Sequence, residues 1–204
     1  MRYAEWVVAV LVVATTGCSE LLPLPKETYR IKSLSVKQAQ ALVERTLAEH
    51  NAHLYLGGLT TLPGEVAEAL VMYRHVLFLD GLTTLSGDAA QALAKHRDSL
   101  YLNGITTLSD NAAEALAKHE GNLYLDGITA LSDNVAEALA KHRDSLSLNG
   151  ITTLSDNAAE ALAKHEGELS LIRLRTISDK AAEALRKKER IFCPTFVPYE
   201  KFKR

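Results

Sequence analysis

One segment of this chain is repeated six times. Starting at Leu54, Leu77, Leu100, Leu123, Leu146 and Leu169, the same pattern returns every 23 residues with no insertion. From Leu100 it reads LYLNGITTLSDNAAEALAKHEGN, from Leu123 LYLDGITALSDNVAEALAKHRDS, and from Leu146 LSLNGITTLSDNAAEALAKHEGE. A partial copy precedes these, since Leu34 to Leu42 matches Leu108 to Leu116 without a strand and continues as a longer helix, Lys37 to His50. A fixed period of this length implies stacked supersecondary units, because one unit cannot bury its own apolar face.

The unit from Leu100 shows what each turn of chain must do. Leu100-Tyr101-Leu102-Asn103 alternates like a half-buried strand. Gly104 permits a tight turn, and Ile105 and Leu108 point back inward. Ser109 suits a helix N-cap and Asp110 the positive helix end. Ala112, Leu116 and His119 fall on one face of a helix of about three turns. Glu114 and Lys118 are placed for an i, i+4 ion pair on the opposite face. The expected fold class is α/β, a solenoid with one short parallel strand and one short helix per 23-residue turn.

These units resemble leucine-rich repeats. They are most similar to the bacterial class with a 23-residue period, in which an L-x-I/L strand is followed by V/I-T-x-I/L and an Ala four residues on. Here those positions are Leu100, Leu102, Ile105, Thr106, Leu108 and Ala112. The Asn ladder of the common leucine-rich repeat is missing, and Ile105 and its equivalents stand roughly in its place. The resemblance implies a surface or secreted protein that binds other macromolecules.

The N-terminus has a different character. Trp6 to Thr16 is an apolar run of eleven residues after a start charged by Arg2. A membrane-spanning helix needs about 20 apolar residues, so this run has the length of a signal-peptide core. Gly17-Cys18-Ser19 follows directly and resembles the lipobox of bacterial lipoproteins. That resemblance implies a diacylated Cys18 as the mature N-terminus. It also implies that Ser19 directs the protein to the outer rather than the inner membrane. An ordinary cleaved signal with an incidental Cys is the alternative. The domains expected are a signal peptide at 1–17, a Pro-containing tether at 18–30, a helical cap at 31–53, six repeats at 54–190 and a C-terminal cap at 191–204. In that cap, Phe192 falls one period after Leu169, where the next strand Leu would stand. Pro194 and Pro198 then stop sheet growth.

Stacking turns each repeat position into a column. The first outward strand column is Tyr55, Phe78, Tyr101, Tyr124, Ser147, Ser170, and the second is Gly57, Asp80, Asn103, Asp126, Asn149, Ile172. The aromatic run supports the sheet as a ladder, or serves as a sticky strip for a protein or sugar partner. The candidate partner-binding residues are Tyr55, Phe78, Tyr101 and Tyr124, with Asp80, Asn103 and Asp126 beside them. A column near the helix C-termini runs Tyr73, His96, His119, His142, His165, Lys188. It reads as a structural ladder bonding free carbonyls, with metal binding or pH sensing as the alternative. Arg97, Glu120, Arg143 and Glu166 alternate in sign, which agrees with a 46-residue duplication and places opposite charges in adjacent turns.

A net charge of −2 provides no field for nucleic acid or an anionic membrane. Cys18 and Cys193 are too few for a disulfide framework. No nucleophile–base pair, phosphate loop or metal motif is present in the sequence, so neither enzyme activity nor a cofactor is expected. The expectation is a lipid-anchored envelope module for an unidentified protein or glycan, with an unliganded structural spacer as the alternative.

Overall fold

A computed structural model describes residues 27–50 and 53–193. The expected signal segment, Cys18 and the tail beyond Cys193 lie outside the described residues. In chain order the elements are α1 (Val36–Ala48), β1 (His53–Tyr55), α2 (Gly64–Leu70), β2 (Val76–Phe78), α3 (Gly87–Leu93), β3 (Leu100–Tyr101) and α4 (Asp110–Leu116). They continue with β4 (Leu123–Tyr124), α5 (Asp133–Leu139), β5 (Leu146–Ser147), α6 (Asp156–Ala163), β6 (Leu169–Ser170), α7 (Asp179–Arg186) and β7 (Ile191–Phe192). The strands form one open parallel sheet in sequence order, with the helices returning the chain between them. The molecule is an α/β solenoid.

The strands pair at the interval of the repeat. Leu54, Leu77, Leu100, Leu123, Leu146 and Leu169 stand side by side, as do Tyr55, Phe78, Tyr101, Tyr124, Ser147 and Ser170. Leu100, Leu102 and Ile105 have 0% exposure, and the equivalent residues of the other turns are buried with them. Each such side chain contributes about 1.5–3 kcal/mol of burial. The helices bury pairs of Ala, such as Ala112 and Ala113, against the core, and the small side chains let neighbouring turns approach. The Oγ atoms of Ser86, Ser109, Ser132, Ser155 and Ser178 each accept a backbone N–H at the N3 position, a cap worth roughly 1 kcal/mol.

Glycine is needed where neighbouring turns approach closely, as at Gly104 and Gly121. A Cβ on Gly104 would lie 2.0 Å from the carbonyl oxygen of Asp80 in the preceding turn. Gly121 has φ +132°, a conformation L side chains rarely adopt. Its N–H donates to Oδ2 of Asp144 at 2.9 Å. One HEGN ending is thereby bonded to the HRDS ending of the next turn, with Asp144 capping Gly121.

The N-terminal cap imitates a turn it lacks. The carbonyls of Tyr29 and Ile31 crowd Gly58 just as those of Gly57 and Leu59 crowd Gly81. Ser35 and Gln38 close a capping box at the start of α1, two orphan donors satisfied at once.

Several expectations are corrected. The repeat helices have seven or eight residues, about two turns instead of three. After Leu116 the chain tightens into i→i+3 bonds, with Lys118 N–H donating to Ala115 and His119 N–H to Leu116. His119 is buried by this closing turn and not by the helix proper. Among the described residues, Glu114 and Lys118 form no ion pair. Lys95 pairs across turns with Glu68 at 3.3 Å and Lys180 with Glu160 at 3.0 Å, while the expected i, i+4 pair forms in the last repeat, between the equivalent Glu183 and Lys187 at 3.3 Å. The alternating Arg97, Glu120, Arg143 and Glu166 make no ion pairs among the described residues either, because exposed side chains gain little by ordering. Finally, Ile191 and not Phe192 pairs with Leu169. One residue is lost between Lys188 and β7, so Phe192 turns outward with 56% exposure.

Candidate functional site: an aromatic stack on the sheet face

The column Tyr55, Phe78, Tyr101, Tyr124 is a continuous ring stack. Successive centroids are 4.4, 4.2 and 4.0 Å apart, with interplanar angles of 18°, 19° and 6°. Parallel strands about 4.8 Å apart place the rings within stacking distance once they lean slightly. The His53 ring meets Tyr55 and Phe78 edge-on, 6.0 Å from each. Tyr55 is 47% exposed, and Phe78, Tyr101 and Tyr124 are half-buried. Each inner ring has a neighbour against both faces, so the strip offers mainly ring edges and phenol oxygens. Burial within the stack, helped by the neighbouring Tyr124 phenol, pushes the Tyr101 phenol up to about 12.

Asp80, Asn103 and Asp126 lie beside the stack as expected, but their carbonyl and carboxylate oxygens are largely occupied. Asp80 Oδ1 accepts the Asn103 N–H at 3.0 Å, Asn103 Oδ1 accepts the Asp126 N–H at 3.0 Å, and Asp126 Oδ1 accepts the Asn149 N–H at 2.9 Å. Asn149 Oδ1 accepts the Ile172 N–H at 3.0 Å. These side chains form a hydrogen-bonded ladder along the outer side of the sheet, each capping the backbone of the next turn. Sequence reasoning missed it, although the unbroken Asp/Asn alternation after the strand Leu was its signal. The ladder also accounts for the two serines: Ser147 Oγ donates to Asp126 at 2.6 Å and Ser170 Oγ to Asn149 at 2.7 Å.

The histidine column is a second stack, inside the protein. His96, His119, His142 and His165 are 1–3% exposed. Their rings are nearly parallel, with centroids 6.0, 6.1 and 6.0 Å apart. Carbonyls of the preceding turn flank them, those of Tyr73 and His75 beside His96 and those of His96 and Asp98 beside His119. The expected imidazole–carbonyl contacts are present, but among the described residues no ring nitrogen of the column reaches good hydrogen-bonding geometry. Burial lowers all four imidazoles, and for His119 burial together with its His96 and His142 neighbours brings the value to about 4. Parallel rings at this spacing hold like nitrogens far beyond the roughly 3.3 Å between ligand atoms on a tetrahedral ion. At the end of the column, the Lys188 ammonium donates to the carbonyls of His165 and of Gly167, the latter at 2.8 Å.

Cys193 is half-buried, and burial raises its thiol. Among the described residues, no helix is long and apolar enough to cross a membrane. Comparison with protein-family models and with curated proteins found no match to this chain.

Proposed function

We propose that the chain is an envelope lipoprotein of the bacterial leucine-rich-repeat type, anchored through Cys18, whose solenoid binds another protein on its sheet face. The observation that carries this reading is the four-ring stack confined to β1–β4 and replaced by serine at Ser147 and Ser170. The fold tolerates serine at this position, so four consecutive aromatics exceed what the sheet needs. Aromatic side chains dominate interface hot spots. The strip shows edges and hydroxyls, which favours a protein surface over a sugar, because a sugar ring stacks on an open aromatic face.

Immobilised wild-type protein and its Tyr101→Ser/Tyr124→Ser double variant would be compared for retention of envelope proteins and for binding to a glycan array. The reading expects one protein retained by the wild type and lost by a folded double variant. Equal retention by both would place the site elsewhere. A second reading, an unliganded structural spacer, is favoured by the internally satisfied Asp/Asn ladder, and it expects no specific retention by either form.

A further inference from the structure

We propose that the His96–His119–His142–His165 column, closed by Lys188, is an acid-sensitive lock: neutral imidazoles let the central turns pack, and proton uptake forces them apart. The column spans four consecutive turns and is almost wholly buried. A buried cation is tolerated only where acceptors reach it. Lys188 meets that condition through two backbone carbonyls. The imidazoles meet it poorly: carbonyls of the preceding turn flank them, but none of the eight ring nitrogens is in hydrogen-bonding geometry among the described residues, and burial outweighs the carbonyls at every ring. A protonated ring would therefore be a buried donor pair with no well-aligned acceptor, about 6 Å from the next ring. Neighbouring charge adds to the effect, because His119 and His142 each lie between two other histidines and His165 lies next to the Lys188 ammonium.

Other ionisable groups do not neutralise the column. The Asp98 carboxylate acts favourably on His96 and that of Asp144 on His142. For both rings, burial outweighs the carboxylate. On the solvent side of His119, Glu114, Glu120 and Asp144 are interspersed with Lys118, Lys141 and Arg143. At the C-terminal end Arg190 adds positive charge near Lys188, and at the other end stands the neutral Tyr73 with His75 edge-on to it at 5.7 Å.

The sign follows from linkage. The folded-state imidazoles lie below the ordinary value of 6.5, so below that pH the unfolded chain binds more protons. Stability is full above about pH 6.5 and falls as pH drops towards 4.

The purified full-length chain would be titrated from pH 7 to 4 by far-ultraviolet circular dichroism, with hydrogen exchange followed by mass spectrometry. The wild type should lose protection in α4–α6 in a transition steeper than one proton. A His119→Tyr/His142→Tyr variant, patterned on the fully buried Tyr73, should move the midpoint down by about half a pH unit or more. An unchanged midpoint, or full protection of α4–α6 at pH 4 in the wild type, would overturn the proposal. Imidazole NMR shifts of the wild type give a test that does not depend on the variant folding. Protonation of the column in step with unfolding supports the lock, and protonation within an intact fold refutes it.

Discussion

The hydroxyl of Ser147 donates to Oδ1 of Asp126 at 2.6 Å, and the same oxygen accepts the backbone N–H of Asn149 at 2.9 Å. One carboxylate oxygen thus ties three consecutive features together: the end of the aromatic stack, the serine that replaces it, and the turn of the following repeat. Replacing Asp126 by Ala strands an N–H and a hydroxyl on a half-buried surface. The expected cost is about 1–3 kcal/mol in urea denaturation. Asp126→Asn should cost clearly less, because Asn103 performs the same task with an amide oxygen at 3.0 Å. Equal losses for Ala and Asn would show that charge, not the acceptor, matters at this position.

Gly104 and Gly57 occupy neighbouring parts of the strand–turn but differ sharply in surroundings. A methyl group on Gly104 collides with the Asp80 carbonyl, whereas one on Gly57 meets nothing within 4 Å. Gly104→Ala is expected to destabilise by about 1–3 kcal/mol or more. Gly57→Ala should be neutral or stabilising by roughly 0.4–1 kcal/mol, through a less flexible unfolded chain. Thermal melting of the two single variants measures the contrast.

The Tyr101 phenol provides an alkaline signature. Its value is raised to about 12 from 10.0, so the folded state favours the neutral phenol more than the unfolded state does. This contribution is fully present below pH 10 and is lost as pH rises through about 12. An ultraviolet phenolate titration should show a late phase that disappears in Tyr101→Phe. A variant that keeps that phase would assign it to another tyrosine.

Cys18→Ala tests the anchor. The variant should move from the detergent-extracted membrane fraction to the soluble fraction when cells are fractionated. If it stays with the wild type in detergent, Cys18 is not the lipidated residue.

Much of the architecture could be read from the sequence because every strand Leu recurs at one interval and every buried column is written in full. The serine caps were equally plain, since Ser109 and its equivalents directly precede an Ala-rich run. What escaped depends on hydrogen-bond partners, most of them in another turn. Asp80 looks like an exposed polar residue until its oxygen meets an N–H 23 residues away. His119 looks helical until the i→i+3 bonds after Leu116 end the helix early. Phe192 kept the period while the backbone did not, and only pairing with β6 shows which residue points inward. For the candidate site, the sequence located the aromatic column but not the ring faces hidden by stacking, because the lean of a side chain is decided by its neighbours.

The polar ladder has a consequence for how such a chain changes over time. Asp80 and Asn103 give the same bond to the turn that follows them, each at 3.0 Å. A gene that gained or lost a single turn would bring Asp beside Asp or Asn beside Asn, and every backbone donor on that side would still find an oxygen. Each helix packs on the helices before and after it in the chain, so no distant contact would be broken. Copy number is therefore an inheritable length setting, and the length of the solenoid can be adjusted one turn at a time without redesigning the core.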